Sequence, residues 1–480
     1  LVVTEFDVAG NTLVSTHTAP AGIAGSAINL SLTDPSGSGA VTTLTISGMP
    51  ADWSLNAGTN NGDGSWTVET GDPSALYITT PTGFAGAMVL NVAESWTNAD
   101  GTMGGASISD NVEAYPASPI FAVSGDDTLT GSAGNDEFVF AQPIGNDRVY
   151  DFNVAADTVD LIGFGVGGFG GLAIANDAGG NAVVTLGAGQ TITLVGVDEG
   201  ALTAGNFVFD AEPVSTNTGT MSVSDGAILP VGGTIDNTGT IALNSTGDET
   251  DLEILVRGAT LTGGGHLVLS DNSQNVVFGG DPSAVLDNVD NRVSGAGQLG
   301  AGSLTLHNEG VIDATGTNAL VIDTGANAIV NTGTLVASGA GGLVVKSAMT
   351  GGGAAEIGGA SSIEFGAASD AAVSFGEGAS GRLTLDDAEE FSGTVGGFTG
   401  YAAIDLADIA GGAGATLGYA ANADNTGGTL TLGDGTHIAN LELLGQYAAA
   451  DFATSADAGG GTLVTLSDPT QNHVLVAPGA

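Results

Sequence analysis

Between Gly125 and Tyr150 a Gly-x-Asp-x-apolar phrase occurs three times. The copies are Gly125-Asp-Asp127-Thr-Leu129, Gly134-Asn-Asp136-Glu-Phe138 and Gly145-Asn-Asp147-Arg-Val149, and the first two start nine residues apart. Aspartate carboxylates and turn carbonyls are hard oxygen donors, the kind that calcium collects in sets of about six to eight. The same dipeptides also mark ordinary turns in β-proteins. Three copies, each running into an apolar strand residue, favour calcium over a plain turn.

Little else in the chain offers site chemistry. There is no cysteine, which removes disulfides, thiol catalysis and thiolate zinc sites together. His17, His266, His307, His437 and His473 form no metal-ligand spacing and no metalloprotease helix motif. The many Gly-x-Gly strings lack the strand-to-helix context of a phosphate loop or dinucleotide fingerprint. The acidic pairs Asp386-Asp387 and Glu389-Glu390 read as solvated turns. A glycosidase needs two carboxylates about 5–10 Å apart, and 53 acidic residues supply such pairs by chance. A lyase would draw its base from Arg257, Arg292, Lys346 or Arg382, which are scattered along the chain. The expectation is a protein that is not an enzyme.

The formal charge of −48 sets 53 acidic residues against five basic ones, of which Arg148 is the fifth. Nucleic acid binding needs a basic footprint, and an anionic membrane surface repels such a chain, so neither partner is expected. A chain this acidic repels itself until cations are present. A hydrophobic content of 42% with positive mean hydropathy nevertheless argues for a folded protein. With 81 glycines and 13 prolines, the elements that position the motifs must be many short strands joined by turns. No apolar stretch of about 18 residues predicts membrane insertion. The chain opens Leu1-Val-Val-Thr without Met or a basic segment, as an excerpt of something larger would.

Four stretches follow. Residues 1–117 hold all three tryptophans, with alternating runs such as Val41–Ser47, Ser65–Val68, Leu76–Thr79 and Met88–Val92 between turn residues; this predicts an antiparallel β-sandwich. In style it resembles the Ig- or cadherin-like modules of large bacterial adhesins. Pro116-Ala-Ser-Pro119 reads as a stiff linker. Residues 213–390 repeat one phrase, Asn237-Thr-Gly-Thr-Ile241, Asn308-Glu-Gly-Val-Ile312 and Asn331-Thr-Gly-Thr-Leu335. A second rhythm places Leu335, Val345, Ala355, Phe365, Phe375 and Leu385 at steps of ten. Regular short strands without helices predict a β-solenoid, and the stretch resembles the passenger repeats of secreted adhesins and autotransporters. Residues 391–480 open with Thr394-Val-Gly-Gly-Phe398 and Ile404-Asp405-Leu406, the order already seen over 149–196; they are expected to form a second, calcium-free copy of a cap.

Residues 120–212 carry the three phrases, then Val149-Tyr-Asp151-Phe152, Asp157-Thr-Val-Asp160-Leu161 and Phe207-Val-Phe209. This stretch resembles the calcium-binding β-roll and cap of repeat-in-toxin proteins. The resemblance implies that successive turns alternate between two edges, with ions between every second turn. Gly125 and Asp127 would then share an edge with Gly145 and Asp147 and cage one Ca²⁺. Gly134 and Asp136 would face the other edge as a calcium half-site without an in-register partner, holding a weaker ion or none. The inserted Gln142-Pro143 departs from the family's period.

The expected architecture is therefore all-β: an Ig-like β-sandwich, a short calcium-binding β-roll with its cap, then a β-solenoid with a terminal cap. The expected role is a structural and adhesive segment of a large, extracellular, calcium-dependent bacterial surface or matrix protein. The resemblance implies export by type I secretion, with a cell-surface glycan or another copy of the chain as partner. A self-assembling surface-layer or filament subunit is the alternative, and a polysaccharide-active solenoid enzyme a weaker one.

Overall fold

The computed structural model describes residues 3–6, 12–34, 41–98, 100–411 and 415–470. The protein is all-β, with 53% strand against 4% helix, and it carries a β-solenoid of about 12 turns. Among the described residues every helix is a three-residue 3-10 turn. The chain divides into two compact units, Leu1–Asn244 with Asp248–Ala259, and Ser245–Gly247 with Thr260–Ala480.

The first unit is built on a long hairpin, Ala85–Thr97 against Met103–Tyr115. Thr42–Ser47 and then Ser65–Thr70 extend it on one side, while Thr12–Thr18 and Pro20–Ile23 run parallel to Met103–Tyr115 on the other. A separate sheet pairs Ala27–Asn29 and Ser54–Leu55 with Tyr77–Thr79. The alternation of Thr42–Ser47 turns Leu44 and Ile46 inward, where they join Leu90, Val92, Ile28 and Ile78 in one core that both sheets share. Trp53 lies in that core, edge-on to Phe84 with ring centroids 4.8 Å apart.

From residue 120 onward, alternate strands enter alternate parallel ladders. Thr128–Thr130, Asn146–Tyr150 and Gln190–Leu194 build one ladder on Pro20–Ile23. Ile120–Phe121, Glu137–Ala141, Thr158–Ile162 and Phe207–Phe209 build the other. Inward residues from both, among them Leu129, Val149, Phe138 and Leu161, are buried. Pro116–Pro119 is thus no spacer. The first ladder continues the sheet of the N-terminal hairpin, and the rings of Tyr115 and Phe121 meet across the segment at 5.6 Å.

In the second unit each rung has three strands, stacked in parallel columns. One column runs through Val285–Asn288, Thr305–Asn308, Ile329–Asn331 and Met349–Thr350. A second runs from Val311–Ala314 to Thr394–Gly396, and a third from Leu320–Ile322 to Ala403–Leu406. The step of ten is half a rung: Leu335 stacks on Ala355 in one column and Val345 on Phe365 in another. Phe375 stacks on Ile357 and not on Ala355, because this rung is two residues shorter. The repeated asparagines stand at one buried corner. Asn288 Nδ2 donates to Asn308 Oδ1 at 2.8 Å, and Asn308 Nδ2 to Asn331 Oδ1 at 2.7 Å. Asn217 and Asn237 make the same bond in the first unit, at 2.8 Å.

The two cap-like stretches share a topology. Ala173–Asn176, Ala182–Gly187 and Gln190–Leu194 form an antiparallel meander whose last strand returns parallel to Asn146–Tyr150. Thr416–Ala421, Gly427–Gly433 and Ile438–Leu444 do the same against Thr394–Gly396. They differ at the exit. Phe207–Phe209 is parallel to Thr158–Ile162, whereas Thr462–Leu466 is antiparallel to Ala403–Leu406.

Candidate metal centre

The parallel register Thr128↔Arg148 sets Asp127 against Asp147, and Glu137↔Thr158 sets Asp136 against Asp157. Both edges use one scheme. Asp147 Oδ1 accepts the N–H of Asp127 at 2.8 Å, and Asp157 Oδ1 accepts the N–H of Asp136 at 2.9 Å. Asp136 therefore has an in-register partner in Asp157, where the spacing of the Gly-x-Asp phrases predicts none. Asp157 was missed because its turn, Asn153-Val-Ala-Ala-Asp157, carries no Gly-x-Asp phrase. The signal available was its place 21 residues after Asp136, ahead of another apolar strand.

Within each turn the aspartate reaches back four residues. Asp127 Oδ2 accepts from Val123 N–H at 3.0 Å, Asp136 Oδ2 from Ser132 N–H at 2.5 Å, and Asp157 Oδ2 from Asn153 N–H at 2.8 Å. The residue four before Asp147 is Pro143, which has no N–H to give. Asp147 is fully buried, and its Oδ2 has no hydrogen-bond partner. Gly145 seats this turn on the one before it, donating its N–H to Gly125 O at 2.8 Å. A Cβ at Gly145 would lie 2.5 Å from Asp126 N, whereas one at Gly125 would meet nothing within 4 Å. A Cβ at Gly134 would meet only the side chain of Ser132.

The surroundings of Asp147 are acidic. Burial first, and then the neighbouring charge of Asp127, push its carboxyl up to about 9. Burial pushes Asp127 up to about 7, against the hydrogen bonds from Val123 and Thr128, with Glu253 raising it further. Glu253 is itself buried and takes both the hydroxyl and the N–H of Ser124. Glu113 lies in the same nest, held well above the usual carboxylate range by burial and then by Asp127. Among the described residues no Lys, Arg or His pairs with Asp127 or Asp147. A hollow of about 230 Å³ at this edge is lined by Asp126, Asp127, Asn146 and Arg148.

This arrangement fits a cation at one edge and not at the other. The carboxylate oxygens of Asp136 and Asp157 are engaged by N–H and O–H donors, so nothing there calls for an ion. Asp147 Oδ2 is a buried carboxyl oxygen without a donor, beside the second buried acid Asp127. Among the described residues no set of three or more His, Asp or Glu converges as a ready metal cage. An ion at this edge would therefore rely on Asp147, Asp127, turn carbonyls and water.

The remaining bases sit against acids. Arg257 meets Asp210 at 3.3 Å, Lys346 meets Asp323 at 3.5 Å, Arg382 meets Asp405 at 3.2 Å, and Arg292 bonds Asp313. His437 lies 3.4 Å from Asp434, and His473 falls outside the described residues. Among the described residues no helix is long and apolar enough to cross a membrane. No family model matches the chain, and no curated protein or solved structure matches it.

Proposed function

We propose that the chain is a structural, adhesive segment of a large secreted bacterial surface protein, and that it uses calcium to lock the turn stack of its first unit. The observation that carries this reading is Asp147 Oδ2, a buried oxygen left without a donor in a stack of otherwise satisfied aspartate turns. Asp147 and Asp127 would hold the ion, whose charge would offset theirs. The rest of the chain supports a scaffold role: a β-solenoid closed by a meander, buried asparagine ladders, and bases spent on rung-to-rung ion pairs. On this reading the two-sheet body is an Ig- or cadherin-like module, residues 120–212 are a repeat-in-toxin roll with its cap, and the chain is not an enzyme.

An ion that binds only the folded turns adds its binding free energy to folding. A chain of formal charge −48 would then fold where calcium is plentiful, outside the cell. Its partner in adhesion would be a surface glycan or a second copy of the chain. The test is a pair of thermal melts, in millimolar calcium and in excess chelator, followed by hydrogen exchange. Calcium is expected to raise the melting temperature and to protect residues 120–212 most. Identical melts in both buffers would sink the reading.

A further inference from the structure

Among the described residues, Arg148 is the base that no acid pairs; the other four Lys and Arg side chains each meet a carboxylate. The parallel register sets Thr128 on one side of Arg148 and Thr193 on the other, and neither can neutralise it. Asp126 and Asp127 line the same hollow, and Asp177 in the meander turn feels the Arg148 charge. None of the three comes within ion-pair distance of it. Arg148 is exposed, and its planar fork of donors is free to take a carboxylate from outside.

The hollow of about 230 Å³ that Arg148 lines holds other groups without partners. Asp126 and Asn146 stand side by side, with Asn146 N–H donating to Asp126 Oδ1 at 2.8 Å. Thr191 Oγ1 donates to Asn146 Oδ1 at 3.1 Å, which fixes the amide and leaves Nδ2 as a free donor. Asp126 Oδ2 is left as a free acceptor. An acceptor beside a donor is what two neighbouring ring hydroxyls require. Thr18 spends its hydroxyl proton on Asp110 and keeps its lone pairs to accept with. Ala19 and Ile108 add an apolar patch against which the C–H face of a ring can lie. A second hollow, of about 330 Å³, shares Thr18, Ala19 and Asp126 with the first and is bounded further on by Asn111 and Ile228. Together they reach the ~300–1,000 Å³ of an ordinary ligand site, room for more than one ring.

We propose that this groove binds an acidic saccharide, with the carboxylate of a hexuronic acid residue on Arg148 and its ring hydroxyls on Asp126 and Asn146. A neutral sugar leaves Arg148 unpaired, and a simple carboxylate leaves the Asp126–Asn146 pair idle. An amino acid could set its ammonium on Asp126, but it would meet the Asn146 donor beside it. The inference deepens the adhesive reading and rests on it for the partner being a glycan. It needs no ion at Asp147.

The experiment is titration calorimetry of the wild-type chain, in calcium and again in chelator, with four probes: oligoglucuronate, the matching glucose oligomer, acetate and glutamate. Oligoglucuronate is expected to bind in both buffers, at least about tenfold more tightly than the other three, as a charge-assisted contact allows. Hydrogen exchange should show its protection over Thr128–Thr130 and Asn146–Tyr150. Arg148→Gln, a change at an exposed side chain, should erase the preference for the acidic sugar without moving the melting temperature. No binding of oligoglucuronate, equal binding of the glucose oligomer, or glutamate binding as tightly would each overturn the proposal. If the variant misfolds, the ranking and the protection map of the wild type still decide. A glycan that binds wild type and Arg148→Gln alike would overturn the groove and leave adhesion standing. Oligoglucuronate bound in the groove by a chain that holds to no glycan-bearing surface would overturn the adhesive reading alone.

Discussion

Pro143 stands four residues ahead of Asp147, at the position from which Val123, Ser132 and Asn153 each donate an N–H to the aspartate of their own turn. The missing donor leaves Asp147 Oδ2 buried and unpartnered. The interruption of the nine-residue period is therefore what gives this turn an oxygen to offer.

Asp147→Asn keeps the Oδ1 acceptor for Asp127 N–H and removes a carboxyl that burial forces to take up a proton on folding. In chelator near pH 7 the variant should be more stable than wild type by about 1–3 kcal/mol, because the wild-type carboxyl must take up a proton to be buried. In calcium it should gain little or nothing where wild type gains. Denaturant titrations in both buffers check the crossing. A variant less stable than wild type in chelator would refute the account.

The motif glycines are not equivalent. Gly145→Ala drives a Cβ to 2.5 Å from a backbone nitrogen, and an overpacked contact of this kind costs about 1–3 kcal/mol. Gly125→Ala meets open space and should fall within about 1 kcal/mol of wild type, on the stabilising side if the unfolded chain loses freedom. Paired thermal melts of the two variants decide the matter.

Asp110 makes the first unit sensitive to pH. It is fully buried, Thr18 Oγ1 donates to its Oδ1 at 2.7 Å, and its Oδ2 has no partner. Burial pushes its carboxyl up to about 8, far above the ~3.9 of an unfolded aspartate. The folded state therefore binds the extra proton between those values. Stability from this group is full below about pH 4 and is lost as pH rises through about 8, at up to ~1.4 kcal/mol per unit. Asp110→Asn should flatten the decline between pH 5 and pH 8, as measured by urea unfolding in chelator.

In the second unit, Asn308→Ala removes the middle of the Asn288–Asn308–Asn331 ladder. It leaves two buried amides short of a partner, at a cost of about 2–4 kcal/mol. Hydrogen exchange should rise over 285–288 and 329–331 before the flanking rungs respond.

Much of this molecule was legible from residue order, and the exceptions have physical causes. The recurrent Asn-x-Gly phrase marked the rung corner because a buried amide must hydrogen-bond to its copy one rung away. The ten-residue rhythm read true at Val345 and Phe365, where the rung spans twenty residues, and slipped at Phe375, where a shorter turn shifted the register. Asp157 was hidden because the carboxylate, and not the glycine ahead of it, is what the turn needs. Glu113 and Glu253 could not be seen at all. They lie 140 residues apart in sequence, and only folding brings both near Asp127.

The rungs tolerate unequal lengths. Ala355 to Val373 is one step, Leu335 to Ala355 a longer one, and Leu320 to Leu343 longer still, yet the columns stay in parallel register. Only the turns absorb the difference. An architecture with that property grows by duplicating a stretch of some twenty codons. Each duplication adds one strand spacing, ~4.8 Å, and alters neither the chemistry of its neighbours nor the closing hairpin. Reach becomes a heritable quantity that changes in fixed increments, like the graduations of a ruler.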